Sequence, residues 1–234
     1  MNVGLFGGTF NPIHKGHIEV ISHVKSTFNL DTVYLIPSAV PPHKTTTNLA
    51  PADYRLEMVK QAVENISGFI VSDVEIQREG KSFSIDTIRH FTAATDNGSR
   101  LYFIMGSDAF FDIDTWKNSV EIFRLTYIIV MLRAGDTRNL NDIELFLQNR
   151  ISPFYKIASS GSTINYQPLK SDKNLKSSDS IHTDNKFKTV HICYVPEIPI
   201  SSTMIRDKIR AEQSIKGLVP PAVEAIIYQK QLYI

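Results

Sequence analysis

The sequence predicts an α/β fold, a doubly wound, mainly parallel sheet with helices on both faces. Three observations lead there. Apolar runs alternate with amphipathic runs from residue 3 to about residue 132, the rhythm of repeated βαβ units. The run Thr32–Ile36 (T-V-Y-L-I) is apolar enough to lie inside a sheet covered on both sides. Polar or glycine-bearing segments follow the apolar runs directly, at Gly7-Gly8, Pro41–Lys44, Arg78–Ser84 and Gly106–Asp108. In an open parallel sheet such segments sit at the strand C-termini and gather along one edge.

The elements follow in order. Val3–Phe6 is the first strand, and Ile18–Phe28 the first helix, with Ile18, Ile21, Val24 and Phe28 as its buried stripe. Thr32–Ile36 is the second strand, ended by Pro37, and residues 37–50 form a loop. Pro51 opens a helix to about Glu64, because proline suits the first helical turn. Its inner face is Leu56, Val59 and Val63. Phe69–Val74 reads as a third strand, Arg78–Ser84 as a polar loop, and Ile85–Ala94 as a helix. Leu101–Met105 is the fourth strand. Helical pieces around Phe110 and at Asn118–Phe123 precede a fifth strand, Tyr127–Leu132. Residues 159–186 are rich in Ser, Asp, Lys and Asn, and bury too little to offset the entropy of ordering. They read as a polar, mobile insertion in a single domain spanning residues 1–234. Strand character returns over Thr189–Val195, and Pro220-Pro221 opens a closing helix to about Lys230.

Composition sets the bounds. A chain of 234 residues, with 42% hydrophobic and 21% charged content, has the make-up of a soluble globular domain with a sizeable core. A formal net charge of +1 gives no support for a nucleic-acid-coating or membrane-surface protein. One cysteine, Cys193, excludes an internal disulfide and fits a reducing compartment. Its apolar, β-prone neighbours make it a buried strand residue. Neither a secretory leader nor an apolar run of about 18 residues is present, so a cytoplasmic protein is expected.

The stretch Val3–His17, V-G-L-F-G-G-T-F-N-P-I-H-K-G-H, carries the chemistry. Paired glycines after a strand let backbone N–H groups approach a ligand. A helix start just beyond offers N–H donors and a positive dipole end, which suit phosphate. His14 and His17, three residues apart, face one side. A second constellation, Ile200–Arg206 (I-S-S-T-M-I-R), sets the hydroxyls of Ser201, Ser202 and Thr203 at a helix N-cap and Arg206 one turn later. A guanidinium matches phosphate in a bidentate way.

Strand-GGTFNP-x-H-x-G-H paired with a C-terminal ISSTxxR resembles the nucleotidylyltransferase superfamily, in its adenylyltransferase branch. Class I aminoacyl-tRNA synthetases share HxGH but carry KMSKS, which is missing here. GGTFNPIHKGH, PPHK, REGKSFSIDT, GSDAFFDIDTW and ISSTMIR, in that order, are similar to the bacterial nicotinate-nucleotide adenylyltransferases. The resemblance covers Val3–Leu132 and Val190 to the C-terminus, and fails over about 136–188. Phosphopantetheine adenylyltransferase fits less well, since it has no use for the GSD…W block.

The resemblance implies a Rossmann-like fold and transfer of AMP from ATP to nicotinate mononucleotide, without a covalent enzyme intermediate. It implies catalytic roles for His14, His17, Lys44 and Arg206, with His17 at the α-phosphate and His14 at the β/γ end. ATP would also meet Gly7, Gly8, Thr9, Phe10, Asp108, Ser201, Ser202 and Thr203, with Asp108 accepting from a ribose. The mononucleotide would meet Lys44, Ser84, Trp116 and Lys117, with Trp116 stacked on the pyridine ring. Mg²⁺ would be held mainly through substrate phosphates, without a dedicated carboxylate cage. Partners would be the two small-molecule substrates, with no nucleic acid or membrane, and a homo-oligomer is left open. Two positions depart from the family pattern: Lys117 where Tyr is frequent, and Arg133-Ala134-Gly135 in place of R-P-G. A nicotinamide- or dual-specific adenylyltransferase, and a regulatory module that binds nucleotide without turnover, are the competing readings.

Overall fold

A computed structural model describes residues 1–40, 48–96, 98–133, 136, 139–153, 155–160, 163–168 and 187–234, with the backbone alone described over 157–168. Eight strands among these residues form one sheet: β1 Asn2–Gly8, β2 Thr32–Pro37, β3 Phe69–Val71, β4 Arg100–Gly106, β5 Tyr127–Arg133, β6 Tyr155–Ser160, β7 Thr163–Pro168 and β8 Val190–Val195. Their spatial order is β3-β2-β1-β4-β5-β8-β7-β6. The six strands from β3 to β8 run parallel, and β7 and β6 continue the sheet antiparallel. The helices are α1 Lys15–Thr27, α2 Ala52–Val63, α3 Val74–Gln77, α4 Ser84–Ala94, α5 Ser107–Phe111, α6 Ser119–Leu125, α7 Leu140–Phe146, α8 Ser202–Arg210 and α9 Pro221–Gln229.

The apolar runs become central strands because both faces are covered. Along β5, Ile129 and Met131 join one core, and Ile128, Val130 and Leu132 the other. In β1, Phe6 faces the first core while Val3 and Leu5 face the second. The first core is closed by Ile21 and Val24 of α1, Met58 and Val59 of α2, Ile205 of α8 and Val223 of α9. The second is closed by Ile85 and Ile88 of α4, Phe110 of α5, Ile122 of α6 and Ile143 of α7. Leu5 and Ile128 are fully buried, so trimming either to Ala would cost about 2–5 kcal/mol. Cys193 lies in the first core, 2% exposed, and burial pushes its thiol up to about 11.

Three expectations shift. The third strand stops at Val71, and Val74–Gln77 turns as helix α3. On α2 the buried stripe is Arg55, Met58, Val59, Ala62 and Val63, while Leu56 is only half-buried. The inner face is rotated toward a charged residue. Part of the stretch expected as a polar insertion is strand: residues 159–160 and 163–168 belong to a hairpin paired onto β8. Residues 169–186 lie outside the described residues, as do Pro41–Lys44.

The strand order reverses between β1 and β4: one half of the sheet winds outward from β1 and the other from β4. A crevice opens beyond their C-termini, the place where doubly wound sheets hold ligands.

Candidate active site

A cavity of about 470 Å³ fills that crevice. Phe6, Gly7, Gly8 and Thr9 line it from the end of β1, and Phe103 to Gly106 from the end of β4. Asp108, Asp112, Trp116 and Lys117 close one side, and Glu75 with Ser82 to Ile85 the other. A Cβ added to Gly7 would meet nothing within 4 Å, so a ligand can lie directly against that backbone.

Beside the cavity, the chain leaves β1 through Thr9–Ile13 and enters α1. The Asn11–Pro12 peptide is cis. His14 is the N-cap of α1, in extended conformation, rather than a residue of its first turn. Its Nδ1 accepts the His17 N–H at 3.3 Å, and His17 Nδ1 accepts the His14 N–H at 3.3 Å. This is a capping box built from two imidazoles. The rings lie 3.7 Å apart, tilted by 31°. A Cβ at Gly16 would stand 3.1 Å from His14 Nδ1, so any larger residue there would press on this arrangement.

The box dictates proton positions. A neutral imidazole whose Nδ1 accepts a hydrogen bond carries its proton on Nε2. Both rings therefore offer an Nε2–H donor. Burial, and next the Arg133 charge, lower the His14 pKa to about 4, so the ring is neutral at neutral pH.

Two of the main-chain N–H groups opening α1 are engaged within the protein: Lys15 donates to the Leu218 carbonyl at 3.0 Å, and His17 donates to His14. The imidazoles add N–H groups beside the helix end.

The second constellation folds as expected and docks on the first. Ser201 caps α8, its Oγ accepting the Met204 N–H at 3.1 Å. Ser202 donates its hydroxyl to the Pro12 carbonyl at 2.9 Å. Arg206 donates to the Asn11 carbonyl at 2.8 Å and to Thr203 Oγ1 at 3.2 Å. Its Nε is buried without a partner. A buried N–H of a cation lacking an acceptor fits a missing anion.

Each expected residue can now be located. Gly7, Gly8, Thr9, Asp108, Ser84, Trp116 and Lys117 line the cavity. His14, His17, Ser202, Thr203 and Arg206 group around the Asn11–Pro12 turn. Phe10 is 3% exposed, edge-on to His17 at 5.3 Å, so its ring belongs to the core that supports the imidazoles. Ser201 is taken up by its cap. Asp108 is exposed in the first turn of α5, whose N-cap is Gly106. Lys117 pairs with Asp86 at 3.0 Å and stands 4.7 Å over the Phe83 ring. Lys44 lies outside the described residues.

Four residues escaped the sequence reading. Arg55 is fully buried, and donates to the carbonyls of Ala50 (2.9 Å), Thr9 (2.8 Å), Ser38 (2.6 Å) and Ala39 (3.0 Å). Burial pulls its guanidinium down, and Tyr233 and Asp53 oppose that. Asn11 joins the same turn to remote segments: its Oδ1 accepts from Ala50 N–H and from the Tyr233 hydroxyl, and its Nδ2 donates to the Asn48 carbonyl. Arg133, at the end of β5, is close enough to act on His14. Glu75 is a buried acid on the cavity wall. Only Asn11, inside GGTFNP, carried a signal, since N-P marks a turn.

Among the described residues no three His, Cys, Asp or Glu side chains form a group able to hold a metal. None of the described helices is long and apolar enough to cross a membrane.

Comparison with known proteins gives a consistent picture. The cytidylyltransferase-like family model matches residues 5–208. A protein from a Geobacter species named probable nicotinate-nucleotide adenylyltransferase is 36% identical over 234 residues, covering 100% of this chain and 99% of the relative. One of the same name from Clostridium novyi is 32% identical, covering 98% of each. The Plasmodium falciparum nicotinic acid mononucleotide adenylyltransferase, solved in complex with NaAD, is similar in fold, with a TM-score of 0.70 at 17% identity, and covers 99% of this chain and 97% of that one.

Proposed function

The chain belongs to the cytidylyltransferase-like family, and from that membership and its full-length relatives we infer that it is a nicotinate-nucleotide adenylyltransferase. It moves AMP from ATP to nicotinate mononucleotide, giving nicotinate adenine dinucleotide and pyrophosphate. The observation that carries the reading is the meeting of two unlike surfaces at one crevice. One is a cluster of N–H donors around the Asn11–Pro12 turn. The other is a cavity of about 470 Å³ walled by Trp116, Phe83 and Phe103.

The reaction is an in-line displacement. A phosphate oxygen of the mononucleotide attacks the α-phosphorus of ATP, the new P–O bond forms, and pyrophosphate leaves with the electron pair of the bond that breaks. The attacking phosphate is already anionic, so no base is needed, and alignment and charge neutralisation dominate. His17 Nε2–H would serve the α-phosphate and His14 Nε2–H the β/γ end. Arg206 would turn its unpartnered Nε to the same anion, with Thr203 and Lys44 beside it. Gly7, Gly8 and Thr9 would let the nucleotide lie against the end of β1, and Asp108 would accept from a ribose. Trp116 would stack on the pyridine ring. The N–H groups opening α4 near Ser84, which no side chain caps, would donate to the ring carboxylate, with Lys117 at the rim. The described residues hold no group of carboxylates for a metal, so Mg²⁺ would enter with the substrate phosphates and would supply charge neutralisation there.

The test is pyrophosphate release with ATP and alternative acceptors. Release should require the nicotinate mononucleotide. Equal or faster release with the nicotinamide form would overturn acid specificity, and no release with either would support a regulatory module.

A further inference from the structure

We propose that Glu75 is a positioning residue for the acceptor half of the site, holding the Ser82–Ser84 turn and the Ser38–Ala39 exit of β2 in register across the cavity. The inference deepens the adenylyltransferase reading and rests on it for the identity of the acceptor.

The residue is out of place for an ordinary glutamate. It sits on the short helix α3, is 7% exposed, and lines the cavity. Glu75 Oε1 accepts the Thr87 hydroxyl at 2.7 Å, and Thr87 Oγ1 accepts an N–H of Arg78 at 2.9 Å. The Ser82 side chain also lies close enough to the carboxyl to act on it. Ser82 Oγ accepts the Ala39 N–H at 2.9 Å, and the Ser82 N–H donates to the Val40 carbonyl at 3.0 Å. Thr87, Ser82 and Arg78 are thus the groups that face Glu75. They come from three separate pieces of chain: the first turns of α4, the loop before it, and the turn after α3.

The linkage continues to the phosphate side. Ala39, held through its N–H by Ser82, is held through its carbonyl by Arg55, and Arg55 also holds the carbonyl of Thr9. Hydrogen bonds therefore join Thr9, beside the histidine turn, to Ser82, and the neighbouring Glu75 carries the linkage on to Thr87, on the helix that opens the acceptor pocket. Glu75 is the one acceptor that closes its far end. An apolar residue at 75 would leave the buried Thr87 hydroxyl without that acceptor. Burial raises the Glu75 pKa, so the fold tolerates an unfavourable group where it is needed to satisfy its neighbours. Satisfied networks of this kind rigidify what they connect.

The test compares Glu75→Ala with Glu75→Gln, whose amide oxygen still accepts from Thr87. Kinetics are measured with each substrate varied in turn, and amide hydrogen exchange is followed at residue 39 and residues 84–87. The Ala variant should raise the KM for nicotinate mononucleotide on the order of tenfold, leave the KM for ATP within about threefold, and speed exchange at both segments about tenfold. The Gln variant should recover most of each change. Equal shifts in both KM values, or a lowered melting temperature with unaltered KM and exchange, would overturn the proposal. If the wild-type protein does not use nicotinate mononucleotide, the functional reading fails. The exchange comparison then still decides whether Glu75 orders the two segments.

Discussion

Replacing Arg55 is the sharpest test of how the site is held. The guanidinium is fully buried, and its three nitrogens reach four main-chain carbonyls: Ala50, Thr9, Ser38 and Ala39. Arg55→Met keeps an apolar stem on α2 and removes every donor. A hydrogen bond to a charged group contributes about 1.5–3 kcal/mol, and an orphaned buried carbonyl costs about 1–3 kcal/mol. The four carbonyls lie on loops that water can partly reach, so the total should fall near the low end, about 4 kcal/mol. For a chain of this size each kcal/mol moves Tm by about 2–4 °C, which gives a drop of about 8–16 °C. Arg55→Lys keeps the charge but replaces a planar fork by three donors on a compact head, and should lose about half as much. Thermal unfolding followed by circular dichroism reads both variants. KM for ATP, measured below either transition, should rise because Thr9 is released. A Met variant melting within about 2 °C of wild type would refute the reasoning.

Four further outcomes are expected. His17→Ala should lower kcat on the order of 10²–10³ in a steady-state pyrophosphate assay without changing the circular dichroism spectrum; wild-type turnover would sink its phosphate role. Trp116→Ala should raise the KM for the mononucleotide far more than that for ATP, and equal changes would remove the stacking assignment. Burial holds His14 and His191 at about 4, below the ordinary 6.5, so the unfolded chain takes up more protons in that window. Melting temperature should therefore fall as pH drops from about 6.5 toward 4, and His191→Phe should lessen the slope; a flat profile would contradict the burial. Gly16→Ala should push the His14 ring off its cap, and cut turnover more than it lowers Tm; unaltered kinetics would show that the ring has room to move.

Much of this was legible in the order of residues, and the exceptions share a cause. Periodicity identified the strands of a two-faced sheet, because Ile128 to Leu132 must alternate between two cores to be buried at all. The HxGH and ISSTxxR segments meet at one turn, where Ser202 and Arg206 donate to the Pro12 and Asn11 carbonyls. Which atoms donate was not legible. The α1 terminus is closed by Leu218, some two hundred residues away in sequence, and only the fold brings it there. Arg55 and Glu75 were invisible for a related reason. A charged residue in a helical pattern reads as solvated, and its burial becomes intelligible only once four carbonyls, or two hydroxyls, are seen to surround it. The β6–β7 hairpin was missed because its segments, Y-K-I-A-S-S and T-I-N-Y-Q-P, are short and mix polar with apolar residues in sequence.

The reciprocal cap between His14 and His17 has a consequence for selectivity between acceptors and solvent. With both Nδ1 lone pairs occupied by main-chain N–H groups and both Nε2 atoms protonated, neither ring retains a basic nitrogen. Imidazoles arranged in this way can donate to an anion but offer no lone pair to a water molecule lying against it. A phosphate that arrives already ionised needs no such help. Under the proposed function the two rings would stabilise the ATP phosphates without serving as a base toward water, which would favour an ionised acceptor over hydrolysis.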